Sequence, residues 1–402
     1  MVLVLNSGLY RAVAILVLNV LIAFACLELA ALGYFKIKIP MIMKSESTEQ
    51  LVGEGMPREK VSYYSSQDWA ERYWYEHRLS GTERYYPYVG WRRPPFKGKT
   101  IEIDRNGVRV TPGADCSAES FKVFTFGEST MWGTGSPDWG TIPANLQKGL
   151  EGLRQGPVCV MNFAETAYTS MQGVIMLLMQ LQSGNVPDLV LFYSLGGDLG
   201  AASQSGRAGV PANLDQIAAR FEERRGPPKL VDWLRSTNAY SLIDKLMDKL
   251  TIANPQLKET TLSKLLTYES KGIDVTELSD SIVREYLENY KIVSALAQKY
   301  GFKYFFFSPP SISLGNKHLT SEEQEMKDRL ESDVTVKKLF TGVYQKIERE
   351  SAKYQYLYTM DHIFDPYDSL IWIDGGHVTP IGNQVIAKIM LDIIQAGSSD
   401  EK

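Results

Sequence analysis

From Ala12 to Phe35 almost every position is apolar. As a helix this run reaches across about 30 Å of hydrocarbon, so it predicts a membrane anchor within residues 1–40 that contacts lipid through residues 12–35. It exceeds the apolar core of a secretory signal peptide, and the flank FKIKIPMIMK has no small-residue cleavage site. Glu28 lies inside the run, where a charge is costly; snorkelling to the interface is the favoured reading, with a membrane partner or a protonated carboxyl as the alternatives. Residues 41–66 are polar and aperiodic, the pattern of a linker. Residues 67–118 hold WAERYWYEHRLSGTERYYPYVGWRRPPFKGKT, whose aromatics predict an irregular extension folded onto the core rather than a ligand-stacking face. IEIDRNGVRV then alternates apolar and polar residues around Asn106-Gly107, a hairpin signal.

From Phe121 the pattern changes. FKVFTFGES, PVCVMNFAETAYTS, DLVLFYSLGGD and KYFFFSPPS are short apolar runs, and helical stretches such as TIPANLQKGLEGL and MQGVIMLLMQLQ alternate with them. Short strands alternating with helices predict an α/β fold, a three-layer αβα sandwich with a parallel sheet, over residues 119–398. A mostly helical insertion is expected at about residues 200–275, between the third and fourth strands, where it could cover a pocket.

Bulk properties narrow the function. The 402 residues are 44% hydrophobic and 22% charged, the balance of a globular protein. A net charge of -4 with no long basic block argues against nucleic-acid binding. Three cysteines, Cys26, Cys116 and Cys159, allow at most one plausible intrachain pair and exclude a disulfide framework. No HExxH motif or cysteine cluster occurs, so neither a metal site nor a cofactor is expected.

In open parallel sheets chemistry gathers past the carboxyl ends of the strands. There the chain places Ser129, the Asn162–Ser170 loop and Gly196-Gly197-Asp198, while Asp374 and His377 sit three apart on a glycine-containing loop before the last helix. A serine with a histidine and an orienting carboxylate is the set that nucleophilic acyl transfer needs. His77 and His318 lie in polar stretches and read as exposed. His362, in TMDHIFDPYD, is the rival base but lacks an Asp-x-x-His loop of its own.

The blocks FGESTMWGTG, NFAETAYTSMQ, FYSLGGD and DGGHVTPIGNQVIA resemble those of the SGNH (GDSL-like) hydrolase superfamily, in particular its membrane-anchored bacterial members, over about residues 86–396. The resemblance implies a serine ester hydrolase with Ser129 as nucleophile, His377 as base and Asp374 as orienter. Its oxyanion hole would comprise Ser129, Ala167 and Gly197. Two positions depart from the family pattern: Ala167 replaces a glycine, and Gly197 stands where an asparagine side chain would donate to the oxyanion. On this view Gly197→Asn should restore a donor. The implied activity is that of an esterase or deacylase acting on acyl, in particular acetyl, esters of an extracytoplasmic glycan. Alternatives are an acyltransferase working with a membrane acyl-transfer partner in polysaccharide modification, and a non-catalytic SGNH-like scaffold. The resemblance also implies a single-pass membrane protein with its domain on the periplasmic or extracellular side. The flanking charges, Arg11 before the run and Lys36, Lys38 and Lys44 after it, leave the orientation ambiguous.

Overall fold

The computed structural model describes residues 11, 14–29, 58–223, 237 and 268–399. The chain divides into two units. One comprises Met1–Glu54 and Gln216–Leu265. Within it residues 14–29 are helical, with Ile15, Leu16 and Leu21 exposed. Among the described residues no helix is long and apolar enough to cross a membrane. The rest of the 12–35 run, most of the linker and much of the expected insertion lie outside the described residues.

The second unit, Gly55–Asp215 and Leu266–Lys402, carries the sheet. It begins with a short helical turn, Ser62–Ser65, and α1 (Ala70–Ser80), followed by two small antiparallel pairs, β1 (Arg84–Tyr86) with β2 (Gly90–Arg92) and β3 (Phe96–Lys97) with β4 (Glu102–Ile103). The turn at Asn106-Gly107 is present but tight: Gly107 N–H donates to the Asp104 carbonyl, and past it Arg109 bridges to Ile103 on one side and to Asn162 on the other. The chain then continues through β5 (Phe121–Gly127), α2 (Ser129–Trp132), α3 (Ile142–Leu153), β6 (Val158–Asn162), α4 (Ser170–Gln182), β7 (Leu189–Tyr193) and α5 (Gly196–Ser205). After Leu266 come α6 (Val275–Tyr300), β8 (Lys303–Ser308), α7 (Ser321–Ser332), α8 (Val334–Ser351), β9 (Leu357–Thr359) and α9 (Pro380–Ser399).

The five main strands are parallel in the order β6-β5-β7-β8-β9. All five residues of β7 are buried, as a strand covered on both faces requires. Alternation sorts the side chains into two layers. Phe126, Phe192 and Phe306 are paired in register and stack, with centroids 5.0 and 4.5 Å apart. Tyr286 of α6 meets Phe306 edge-on from that side. Val123, Leu191, Phe305 and Phe307 share the opposite core with Leu146 of α3 and Met390 of α9. Cys116 and Cys159 form a disulfide with Cα atoms 4.8 Å apart, tying the segment before β5 to the edge strand β6.

This order is the doubly wound 2-1-3-4-5 arrangement. The chain leaves β5 for β6 on one side and returns to β7 on the other. The crevice between the carboxyl ends of β5 and β7 is the topological switch point at which such sheets bind ligands.

Candidate active site

Ser129 is the first residue of α2, directly after β5. The turn is tight because Gly127 runs against the neighbouring strand: a Cβ there would lie 2.2 Å from the Tyr193 carbonyl oxygen. Glu128 follows in extended conformation and leads into the helix. The Ser129 hydroxyl therefore starts a helix at the switch point.

His377 reaches it across 248 positions of sequence, with Nε2 2.7 Å from Ser129 Oγ. Its other nitrogen, Nδ1, lies 3.0 and 2.9 Å from the two Asp374 oxygens. Facing a carboxylate, Nδ1 holds the ring proton and leaves Nε2 as acceptor for the serine hydroxyl. The loop is closed by its own backbone. Asp374 Oδ1 accepts from Gly376 N–H at 2.9 Å and His377 N–H at 2.7 Å, while Ile373 N–H donates to the His377 carbonyl. The spacing of three thus gives one carboxylate both the backbone and the ring of the same histidine.

Asp374 has a further partner that the sequence did not reveal. Arg58, from the segment read as linker, donates through Nε to Asp374 Oδ2. Burial opposes ionisation of Asp374, but Arg58, His377 and the Gly376 N–H outweigh it and hold the carboxyl well below its usual range. The Arg58 segment is held by the Glu59–Arg78 ion pair and by the Tyr64 hydroxyl, which donates to the Gly135 carbonyl at 2.8 Å.

Around α2 the aromatic extension forms a wall. Tyr64, Trp69, Tyr73 and Trp74 pack edge to face, whereas Tyr85 and Tyr88 remain exposed. Trp132 contacts two guanidinium groups, Arg93 at 3.8 Å and Arg109 at 4.3 Å from its ring. Arg109 also pairs with Asp138 at 2.8 Å and donates to the carbonyls of Trp132, Gly133 and Ser136, bracing the end of α2. His77 is not the exposed residue its polar neighbours suggested. It packs against Tyr73, Trp74 and Trp132, and burial, with Arg93, Arg58 and Arg109 near it, holds its pKa well below the ordinary value. His362 has a carboxylate partner after all, Asp365 at 2.9 Å, but its side chain is 63% exposed. It is His377 that meets Ser129.

The two departures from the motif pattern have different outcomes. Ala167 adopts φ +59°, the left-handed conformation that a glycine takes at lower cost. Trp91 holds that turn from both sides, donating through Nε1 to the Thr166 carbonyl at 3.1 Å and accepting from the Tyr168 hydroxyl. Among the described residues the Ala167 N–H has no hydrogen-bond acceptor. Gly197 has no room for any side chain, because a Cβ there would lie 1.9 Å from the Tyr168 carbonyl oxygen. The expectation that asparagine at 197 restores a donor is therefore corrected: the loop carrying Ala167 occupies that space. The first N–H groups of α2 and α5 have no partners within their own helices, so Ser129 and Gly197 can each offer a backbone donor. Among the described residues no cluster of three or more His, Cys, Asp or Glu is placed to hold a metal ion.

No protein-family model matches the chain, and no curated protein does. Among solved structures it is similar to a lipase from a goat rumen metagenome, at 12% identity over 68% of this chain and 97% of that one, with a TM-score of 0.37. It is also similar to a lipase/acylhydrolase from Enterococcus faecalis, at 14% identity over 68% and 95%, with a TM-score of 0.35. An acetyl xylan esterase matches at 13% identity over 67% and 98%, with a TM-score of 0.33. Likenesses this distant carry no weight for function.

Proposed function

We propose that the chain is a serine ester hydrolase of the SGNH type. The observation that carries this is the continuous relay from Ser129 Oγ through both His377 nitrogens to Asp374, with each contact between 2.7 and 3.0 Å. As His377 Nε2 takes the hydroxyl proton, Ser129 Oγ attacks the ester carbonyl carbon. The negative charge that develops on the carbonyl oxygen is met by the N–H groups of Ser129, Ala167 and Gly197. Collapse of the tetrahedral intermediate breaks the ester bond, and the imidazolium returns its proton to the departing alkoxide. Water then repeats the sequence on the acyl-enzyme and releases the acid. Asp374 holds the imidazole and stabilises its charged form, while Arg58 keeps Asp374 ionised.

The substrate class follows from motif resemblance: acyl, in particular acetyl, esters of an extracytoplasmic glycan. Residues 12–35 anchor the protein in a membrane, with the sheet-bearing unit outside the cytoplasm. The exposed apolar side chains at 15–22 and the Cys116–Cys159 disulfide, a bond of oxidising compartments, support that placement. Extraction of the full chain from membranes by alkaline carbonate would refute the anchor. Transfer to a glycan hydroxyl, with a membrane acyltransferase as partner, shares the same acyl-enzyme and differs in the acceptor alone. The test of the hydrolase assignment is release of chromophore from p-nitrophenyl acetate by the full chain. Ser129→Ala and His377→Ala should each reduce it to background, and undiminished turnover in Ser129→Ala would overturn the assignment.

A further inference from the structure

The residue before the candidate nucleophile is an acid with an unusual setting. Glu128 is 5% exposed; Gly196 N–H donates to its Oε1 at 3.2 Å, and the N–H groups of Leu195 and of Glu128 itself also favour its charged form. Its second oxygen, Oε2, is enclosed and makes no hydrogen bond among the described residues. The side chain crosses from the end of β5 to the turn after β7 and fills the space beside that turn. A Cβ at Gly196 would lie 3.0 Å from Oε1, and one at Gly197 would lie 3.4 Å from the Glu128 Cβ. The Gly196-Gly197 pair and the glutamate therefore fit one another.

Among the described residues the charged and titratable groups facing Glu128 are Asp198 of α5, Tyr193 of β7, Tyr286 of α6 and Tyr344 of α8. No cation is among them. Asp198 already has its own donors, Ser170 N–H at 3.0 Å and the Ser170 hydroxyl at 2.8 Å, with Asn289 behind that hydroxyl at 2.9 Å. A second carboxylate here would be buried and face Asp198, with the backbone N–H groups of Gly196, Leu195 and Glu128 itself to offset that cost.

We propose that Glu128 is a positioning residue that ties the Ser129 turn to the Leu195–Gly197 turn and so holds the nucleophile against its oxyanion donors. Burial and the neighbouring Asp198 push its pKa up to about 8, whereas Asp198 reaches about 6, raised by burial and held there by Ser170. Near neutrality Asp198 is the anion and Glu128 keeps its proton. Above that range both are charged, the carboxylates repel, and the two turns separate. This rests on the hydrolase assignment for its kinetic consequence and on Glu128 alone for its effect on stability.

The test compares wild type, Glu128→Gln, Glu128→Ala and Ser129→Ala in the full chain from about pH 5.5 to about 9.5. Wild-type kcat/KM for p-nitrophenyl acetate should fall about tenfold per pH unit above about pH 8. Glu128→Gln, neutral and isosteric, should retain at least about a third of wild-type activity at pH 7 and lack the alkaline fall. Glu128→Ala should lose roughly tenfold or more at pH 7. An alkaline fall unchanged in Glu128→Gln, or equal damage from Gln and Ala, overturns the inference. Melting provides a readout without turnover. The folded carboxyl binds its proton more tightly than the unfolded one, so this contribution is fully present below the unfolded pKa near 4.5 and is lost as pH rises through about 8. The Tm of Glu128→Gln minus that of wild type should therefore widen across that window. A constant difference overturns the inference even if Ser129→Ala shows the chain not to be a hydrolase.

Discussion

Replacing Gly197 by alanine adds one methyl group, and its consequence can be worked from distances. The new Cβ would start 1.9 Å from the Tyr168 carbonyl oxygen and 2.9 Å from its carbon. Ordinary van der Waals contact begins near 3.4 Å, so the Ala167–Tyr168 turn and the start of α5 must separate by roughly 1.5 Å. Neither partner is the far end of a flexible side chain. The turn that must yield carries the Ala167 N–H, and a misplacement of about 1 Å at a reacting centre costs on the order of 100-fold in rate. Gly197→Ala should thus lower kcat on p-nitrophenyl acetate by about 100-fold and stability by roughly 1–3 kcal/mol, the usual cost of overpacking. Gly197→Asn should do no better, despite bringing an amide donor. The control lies three residues on in the same helix: Gly200 has nothing within 4 Å of its would-be Cβ, so Gly200→Ala should be kinetically silent. Steady-state kinetics with a melting curve for each variant decide the matter. Wild-type or higher kcat in folded Gly197→Ala or Gly197→Asn would refute the steric account.

Two other perturbations give expected outcomes. Arg58→Ala should lower kcat/KM roughly three- to tenfold, the range for a part-exposed, charge-assisted contact. Since the pair is 37% and 28% exposed, wild type should lose activity towards about 1 M NaCl and the variant should not; equal kinetics for both proteins would remove Arg58 from the site. Cys116 and Cys159 are 43 positions apart, and chain entropy assigns a crosslink of that span about 4 kcal/mol of stabilisation. Calorimetry with and without dithiothreitol should show a lower Tm on reduction, matched by Cys116→Ser, and an unchanged Tm would show that the crosslink contributes nothing.

Much of the sheet is legible in the chain because its strands are continuous apolar runs between helical stretches, and burial on both faces leaves no other composition for β7. Ser129, Asp374 and His377 are visible because each sits in a short motif at a strand end or closing loop. What escapes is set by contacts across space. Arg58 lies in an aperiodic segment, where composition indicates no register and thus no partner. His77 carried a signal that polar neighbours masked: with Tyr73 four positions earlier, it shares one face of α1 with an aromatic. At Gly197 the motif resemblance leads to the expectation of an asparagine, but the oxygen that excludes one belongs to Tyr168, nearly thirty positions away. The fit of Glu128 to Gly196 spans two strands in the same way.

The claim that Ser129 is a nucleophile activated by His377 and Asp374 is tested most directly by covalent capture. Diisopropyl fluorophosphate reacts with a serine that a neighbouring base has activated and leaves a diisopropylphosphoryl group on it. Intact-mass measurement of the full chain should show one adduct, mapped by peptide sequencing to Ser129. The adduct should be absent in Ser129→Ala and formed far more slowly in His377→Ala. An unmodified wild-type chain, or an adduct on another residue that persists in Ser129→Ala, would contradict the account.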